Sequence, residues 1–157
     1  MEKPNILWHE DDTLKIGFSC MPHVCVRYIV PSATDEEMKS IKKFPFICKT
    51  ELKVSIFDAI KQKEYKFTIP KGYCYDGASI PRLFWRLIGS NTDNSFLIPA
   101  LIHDVLCENH NYIDNDRALS TRVFNALLTE SKVNPVKRFL MKNSVATFQT
   151  LFCGWGK

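Results

Sequence analysis

The stretch that decides how this chain folds is residues 72–108, which read G-Y-C-Y-D-G-A-S-I-P-R-L-F-W-R-L-I-G, then a polar loop, then F-L-I-P-A-L-I-H-D-V-L-C-E. Its first part predicts the start of a helix, because Ser79 can cap a helix in which the early Pro81 needs no N–H partner. Gly89 ends that predicted helix. Before this stretch the sequence is typical of β-strands, and after it the sequence is typical of helices.

The chain before this stretch has the composition and period of β-structure. Five strands are predicted, over residues 14–18, 24–30, 46–48, 53–57 and 65–69, with a turn at 61–64 that joins the last two into a hairpin. Thr34 and Glu37 have the spacing of a capping box and predict a short helix over residues 34–42. This half is therefore predicted to be a mainly antiparallel sheet.

The chain after this stretch carries apolar residues at helical spacing, which predicts three further helices. Pro99 is expected to start the first of them, and Asp114 or Asp116 is expected to cap the second. Pro135 opens the last one. The C-terminal part is therefore predicted to hold about four helices.

Length and composition are ordinary for a soluble globular protein: 157 residues, 45% hydrophobic and 24% charged. Strands followed by helices predict an α+β fold, with an N-terminal, mainly antiparallel β-sheet and a C-terminal group of about four helices, in a single domain over residues 1–157. No apolar run is long enough to span a membrane, and the N-terminus lacks the apolar core of a signal peptide. We therefore expect a cytoplasmic protein, and we expect its six cysteines, which include no C-x-x-C pair, to be buried free thiols.

The net charge of +4 is unevenly distributed along the chain. Residues 42–71 carry eight lysines and three acids, and residues 131–157 carry five basic residues and no acid. Residues 73–130, between them, carry seven acids and four arginines. An acidic middle suits a cation better than a phosphate backbone, so nucleic-acid binding is not supported.

Polar side chains stand among apolar residues at two places in residues 72–108. Asp76 lies in a tight turn before the helix that Ser79 caps, and His103 and Asp104 follow an apolar helical run. Adjacent side chains on a helix point about 100° apart, so His103 and Asp104 would converge only on a shared ion or water. We predict a catalytic set of Asp76, Ser79, His103 and Asp104. Within it, Asp76, His103 and Asp104 could hold a divalent cation.

Two other interpretations of these residues stay open. His103, Cys107 and His110 fall at i, i+4 and i+7 and would share one face of a long enough helix, which is a zinc-type arrangement. Alternatively the residues are structural. In that case Asp76 accepts backbone N–H bonds in its turn, His103 donates to a core carbonyl, and Asp104 pairs with an arginine.

Three motifs carry a resemblance to a known family. They are T-I-P-K-G-Y-x-Y-D-G-A-S-I-P-R-x-x-W, then P-A-L-I-H-D-x-L, then R-A-L-S-T-R-V-F-N-A-L-L. Together they resemble the phage and bacterial family called domain of unknown function 1353, over residues 46–152, which leaves residues 1–45 as a strand-rich extension. Cys107 stands where the family pattern has a tyrosine, and Thr121 stands where it has an acid. The resemblance implies a phage or prophage protein in a bacterial host.

The resemblance brings no reaction with it, so the functional hypothesis comes from the residues. We favour a hydrolase in which His103 is the general base, while Asp76 and Asp104 orient it or hold a divalent cation. The Y-C-Y-D-G and H-D-x-x-C runs are also similar to phospholipase A2, in which a histidine takes a proton from water and the next aspartate holds calcium. The alternative is a non-enzymatic phage accessory or interaction module, for assembly or for countering host defence, whose protein partner comes from phage or host.

Overall fold

The structure, a computed structural model, describes residues 6–27, 30–75, 94–130, 135–136, 138–140 and 142–143. Two antiparallel β-sheets come first and helices follow, so the predicted α+β class is confirmed. The predicted helix after Ser79 lies outside the described residues.

The described residues contain strands of two separate sheets. In chain order the strands are β1 (Ile6–Glu10), β2 (Leu14–Phe18), β3 (Val24–Val26), β4 (Phe46–Cys48), β5 (Leu52–Asp58), β6 (Lys63–Ile69) and β7 (Cys74–Tyr75). The larger sheet has the strand order β1-β2-β5-β6, and the smaller one has the order β3-β4-β7. The strands predicted over 14–18 and 46–48 are confirmed, and those predicted over 53–57 and 65–69 each lie within a longer strand.

The larger sheet forms because buried apolar and exposed polar side chains alternate along its strands, as a sheet with one buried face requires. In β5, Leu52, Val54 and Ile56 are buried, whereas Lys53 between them is exposed. β5 pairs antiparallel with β2 on one side and along its full length with β6 on the other. One face of this sheet is therefore apolar, and its buried side chains belong to the same hydrophobic cluster as those of the helices.

Two strand predictions differ from the structure. The strand predicted over 24–30 is too long, since β3 ends at Val26, which pairs with Phe46, the first residue of the antiparallel strand β4. The turn predicted at 61–64 is shifted to residues 59–62, because the Asp58 carboxylate accepts the backbone N–H of Ile60 and closes the turn earlier. β1 and β7 have no counterpart among the predicted strands.

Four helices have defined bounds: α1 (Asp35–Lys43), α2 (Asn94–Glu108), α3 (His110–Ile113) and α4 (Arg117–Glu130). Residues 135–136, 138–140 and 142–143 are also helical, where the last helix is predicted. Thr34 caps α1 in a capping box with Glu37, as predicted. Of the two aspartates proposed as caps, Asp116 caps α4, because its carboxylate accepts the Leu119 N–H at 2.7 Å.

The predicted start of α2 at Pro99 is wrong. The helix begins at Asn94, and Pro99 lies inside it. Proline lacks the N–H that would bond to the carbonyl four residues earlier, so an interior position costs stability. Burial of Leu97, which is 1% exposed, favours the extra helical residues before the proline.

One hydrophobic cluster joins the larger sheet to the helices. α2 packs along α4, and α4 also contacts β1. The apolar residues at helical spacing on these two helices are buried: Leu101, Ile102, Val105, Leu106, Leu119, Val123, Leu127 and Leu128. Among the helices of the described part of the chain, none is long and apolar enough to cross a membrane.

Candidate functional site

His103 and Asp104 lie inside the core because this part of α2 is apolar on every side. Residues 99–106 are all buried, so the helix presents no solvent-facing stripe there. The His103 side chain has no exposed surface, and Asp104 is only 4% exposed. Burying ionisable groups costs free energy unless another interaction compensates, so this pair is a candidate functional site.

The two side chains are close but do not form a short hydrogen bond with each other. His103 Nδ1 lies 3.8 Å from Asp104 Oδ1, beyond ordinary hydrogen-bond length. This separation agrees with the divergence expected for neighbours on a helix. The imidazole also packs on Phe124 of α4, with 5.0 Å between ring centroids. The position of the ring is therefore set by core packing as well as by Asp104.

Cys107 is the third member of this cluster. Its Sγ lies 3.6 Å from His103 Nε2 and 3.8 Å from Nδ1, one helical turn away, and its side chain is half-buried. The zinc-type face of His103, Cys107 and His110 does not form. α2 ends at Glu108, and the His110 ring instead lies 2.9 Å from the Cys107 carbonyl oxygen.

Tyr75 brings the end of β7 to the same part of the core. Its side chain is fully buried, and its hydroxyl donates to the Leu97 carbonyl oxygen of α2 at 3.0 Å. Burial, together with the nearby negative charge of Asp104, raises the pKa of Tyr75 far above its usual value. The sequence contained this residue in the Y-C-Y-D-G run, but nothing in that run identified its hydroxyl as a contact of α2.

Asp76 and Ser79, the other two predicted site residues, lie outside the described residues. The structure therefore brings together His103, Asp104 and Cys107 and leaves the predicted set of four as a prediction. Within the described part of the chain, no group of three or more histidine, cysteine, aspartate or glutamate side chains is arranged to hold a metal ion. The cation set of Asp76, His103 and Asp104 includes a residue beyond that part.

A groove of about 460 Å³ lies near the same helix, but its lining includes neither His103 nor Asp104. Its lining comes from β6 and the residues after it on one side, and from the end of α2 and from α3 on the other. The sequence predicted no site here, because the groove depends on how a strand edge and a helix are placed in space.

Comparison with known proteins places the chain in a family. Residues 53–145, more than half of the chain, match the family described as "Protein of unknown function (DUF1353)". The chain belongs to this family. The match is shorter than the predicted 46–152, and it includes His103, Asp104 and Cys107, so the candidate cluster lies in the DUF1353 region.

One curated relative overlaps part of this DUF1353 protein. The uncharacterized protein y4jT of Sinorhizobium fredii (strain NBRC 101917 / NGR234) is 44% identical to it over 43 residues. That segment is 27% of this chain and 13% of the relative, so the chain spans only a small part of the relative's length. No solved structure matches the chain.

Proposed function

We propose that this DUF1353 protein is a hydrolase in which His103 is the general base and Asp104 and Asp76 orient it or hold a divalent cation. Ser79 is the fourth proposed member of the site. The observation that carries the proposal is that adjacent histidine and aspartate side chains are buried together in an otherwise apolar stretch of α2. Two apolar residues at these positions would pack equally well in the core. Packing alone therefore does not account for two ionisable side chains there.

Chain connectivity supports the inclusion of Asp76. Tyr75 lies close enough to Asp104 for the charge of that aspartate to act on its hydroxyl. Asp76 directly follows Tyr75 in the sequence and Ser79 comes three residues later, which supports their inclusion in the proposed site.

The proposed chemistry is the removal of a proton from water. The Asp104 carboxylate, whose Oδ1 lies 3.8 Å from His103 Nδ1, would stabilise the imidazolium that forms when His103 takes up the proton. The resulting hydroxide would attack the substrate, the bond to the leaving group would break, and the proton held by His103 would pass to the leaving group. Asp76 and Asp104 supply the carboxylate oxygens that a hard divalent cation prefers.

Metal analysis of protein purified without chelator tests the cation. It is followed by thermal melts with chelator, and then with calcium, magnesium, manganese or zinc. A bound cation at a hundredfold excess over its dissociation constant stabilises the protein by about 2.7 kcal/mol, so the melting temperature should rise with one of these ions. A melting temperature that responds to none of them, from protein that contains no metal, would rule out the cation-dependent form of the proposal.

A second candidate function is the non-enzymatic phage accessory or interaction module. It is favoured by the complete burial of the His103 ring and its contact with Phe124, which suit a core histidine that holds α2 against α4. In that case His103 and Asp104 only stabilise the packing of α2 in the core, and the function lies on the surface. The site variants described in the Discussion distinguish these two candidates.

A further inference from the structure

Cys107 has the most exposed side chain in its cluster with His103 and Asp104. The His103 ring has no exposed surface and Asp104 is 4% exposed, whereas the Cys107 side chain is half-buried. A molecule that reaches the cluster at this thiol therefore meets the sulfur before it meets the imidazole. The exposed member is also the strongest nucleophile of the three when it loses its proton.

The imidazole of His103 is placed to take the proton of this thiol. Cys107 Sγ lies 3.6 Å from Nε2 and 3.8 Å from Nδ1, so whichever nitrogen carries no proton can accept from the thiol. Contacts between a nucleophile and its base are often as loose as this before a substrate binds. The Phe124 ring packs on the imidazole, and Asp104 would stabilise the imidazolium. A thiol, a base and a group that orients the base are thus in contact in sequence.

The position of Cys107 in α2 makes a thiolate there depend on His103. Cys107 is the last residue but one of the helix, where the helix dipole disfavours negative charge. Glu108, which follows it, is exposed and adds a carboxylate. Neither feature stabilises a thiolate, so within the cluster the stabilising group is the imidazolium of His103.

We propose that Cys107 is the covalent nucleophile of the site and that its substrates are acyl compounds, an inference that rests on the proposed hydrolase function. Esters, thioesters and amides are the substrate class that a thiolate beside a histidine attacks, at the carbonyl carbon. The carboxylates of Asp104 and Glu108 repel an anionic phosphate ester but not a neutral acyl group. Charge and nucleophile type therefore favour the same substrate class.

The reaction proceeds in two steps through a thioester. His103 takes the thiol proton, the Cys107 sulfur bonds to the carbonyl carbon, and the leaving group departs with the proton from His103. Water then attacks the thioester and gives a proton to His103, which returns it to the sulfur as the carbon–sulfur bond breaks. The products are a carboxylic acid and the free thiol. Removal of a proton from water is thus the second step, and the Cys107 sulfur is its leaving group.

Alkylation of the native full chain with iodoacetamide tests the pairing of thiol and imidazole. The half-buried thiols Cys25 and Cys74, which lie in strands, are matched controls within the same molecule. At about pH 6.5, where an ordinary thiol is almost entirely protonated, Cys107 should react at least about tenfold faster than either. In His103→Gln this advantage should disappear, while the two control rates stay the same. Buried Cys48 reports folding, since it should stay unmodified in any folded variant.

Hydrolysis of p-nitrophenyl acetate tests the acyl chemistry. When the reaction is stopped with acid, mass spectrometry should find an acetyl group on Cys107. Cys107→Ala should lose both this group and the hydrolysis, whereas Cys25→Ala, which removes a half-buried thiol from β3, should keep both. An acetyl group that forms on Cys107 and is never released would support the thiol as nucleophile and would count against the hydrolase proposal.

Three results would overturn the proposal. The first is a Cys107 alkylation rate no higher than the rates of the control thiols, and the second is the absence of any acetyl group on Cys107. The third is ester hydrolysis that survives Cys107→Ala but is lost in His103→Gln, because water would then be the direct nucleophile and the hydrolase proposal would stand alone. If Cys48 becomes reactive in His103→Gln, Asp104→Asn replaces that variant, and an unchanged Cys107 rate in it would also overturn the proposal.

Discussion

Arg122 of α4 donates from Nη1 to the Asp58 carboxylate at 2.9 Å, joining the end of β5 to a helix 64 residues later in the chain. Asp58 is fully buried, and the same carboxylate also accepts the Ile60 N–H in the turn before β6. Arg122 in turn donates to the Thr13 carbonyl oxygen before β2. One ion pair therefore connects the sheet, the hairpin turn and the C-terminal helices.

Arg122→Ala should reduce the free energy of unfolding by about 3 kcal/mol, because it leaves a buried carboxylate without its charge partner. Urea denaturation followed by circular dichroism measures this loss. In the double variant Asp58→Asn/Arg122→Ala the buried charge is gone, so part of the loss should be recovered. A single variant as stable as the parent would show that the pair contributes little.

The same pair should make stability depend on pH in the acid range. Burial alone raises the pKa of Asp58, but the hydrogen bond and charge of Arg122, with two backbone N–H groups, lower it below the usual value. A lowered pKa contributes stability above about pH 4, and that contribution is lost as the pH falls through the folded-state pKa. The stability difference between the parent and Asp58→Asn should thus be constant near neutral pH and shrink below about pH 4. A difference that grows in acid would contradict this assignment.

Variants of the candidate site separate catalysis from scaffold. Functional groups are often kept at a cost in stability, so we expect at least one of Asp76→Asn, His103→Ala and Asp104→Asn to leave the melting temperature unchanged or raised. Phe124→Ala, which removes the ring packed on His103, serves as the scaffold control and should lose about 3–5 kcal/mol. If all three site variants are clearly less stable than the parent, these three residues have a structural role and the hydrolase proposal is wrong.

Thr34→Ala should destabilise α1 locally and leave the rest of the protein intact. The capping box satisfies backbone N–H groups at the start of this helix, and its loss costs about 1 kcal/mol. No residue of α1 is buried, so the helix can open without unfolding the core. Hydrogen exchange of the α1 amides should accelerate about fivefold, while the α2 amides stay unchanged. Equal acceleration in both helices would mean that α1 unfolds only with the whole domain.

The thiols should divide into two classes. Among the described cysteines, Cys20, Cys25, Cys74 and Cys107 are half-buried, whereas Cys48 is buried, and burial raises the pKa of its thiol. A thiol reagent should modify the first four in the native protein and Cys48 only after unfolding. Mass spectrometry of the labelled peptides measures this. Two or fewer reactive thiols in denaturant would instead indicate a disulfide framework.

Local sequence signals determined most of the secondary structure. The capping box at Thr34 and the cap at Asp116 each depend on residues within one helical turn, so residue type placed the first helix start and narrowed the second to Asp114 or Asp116. The strands 14–18 and 46–48 were predictable from side-chain type alone. The adjacency of His103 and Asp104 on an apolar helix was visible in the sequence, and that helix being apolar all round implied their burial.

Contacts between distant segments were decided only by the tertiary structure. β3 ends at Val26, which pairs with the first residue of the antiparallel strand β4, and α2 runs through Pro99, where burial of Leu97 outweighs the local helix-start signal. The pairing of Asp58 with Arg122, the reach of Tyr75 to α2, and the groove between β6 and α3 all join residues more than 20 positions apart. No local pattern encodes such contacts, because they form only when the packing of the apolar faces brings the elements together.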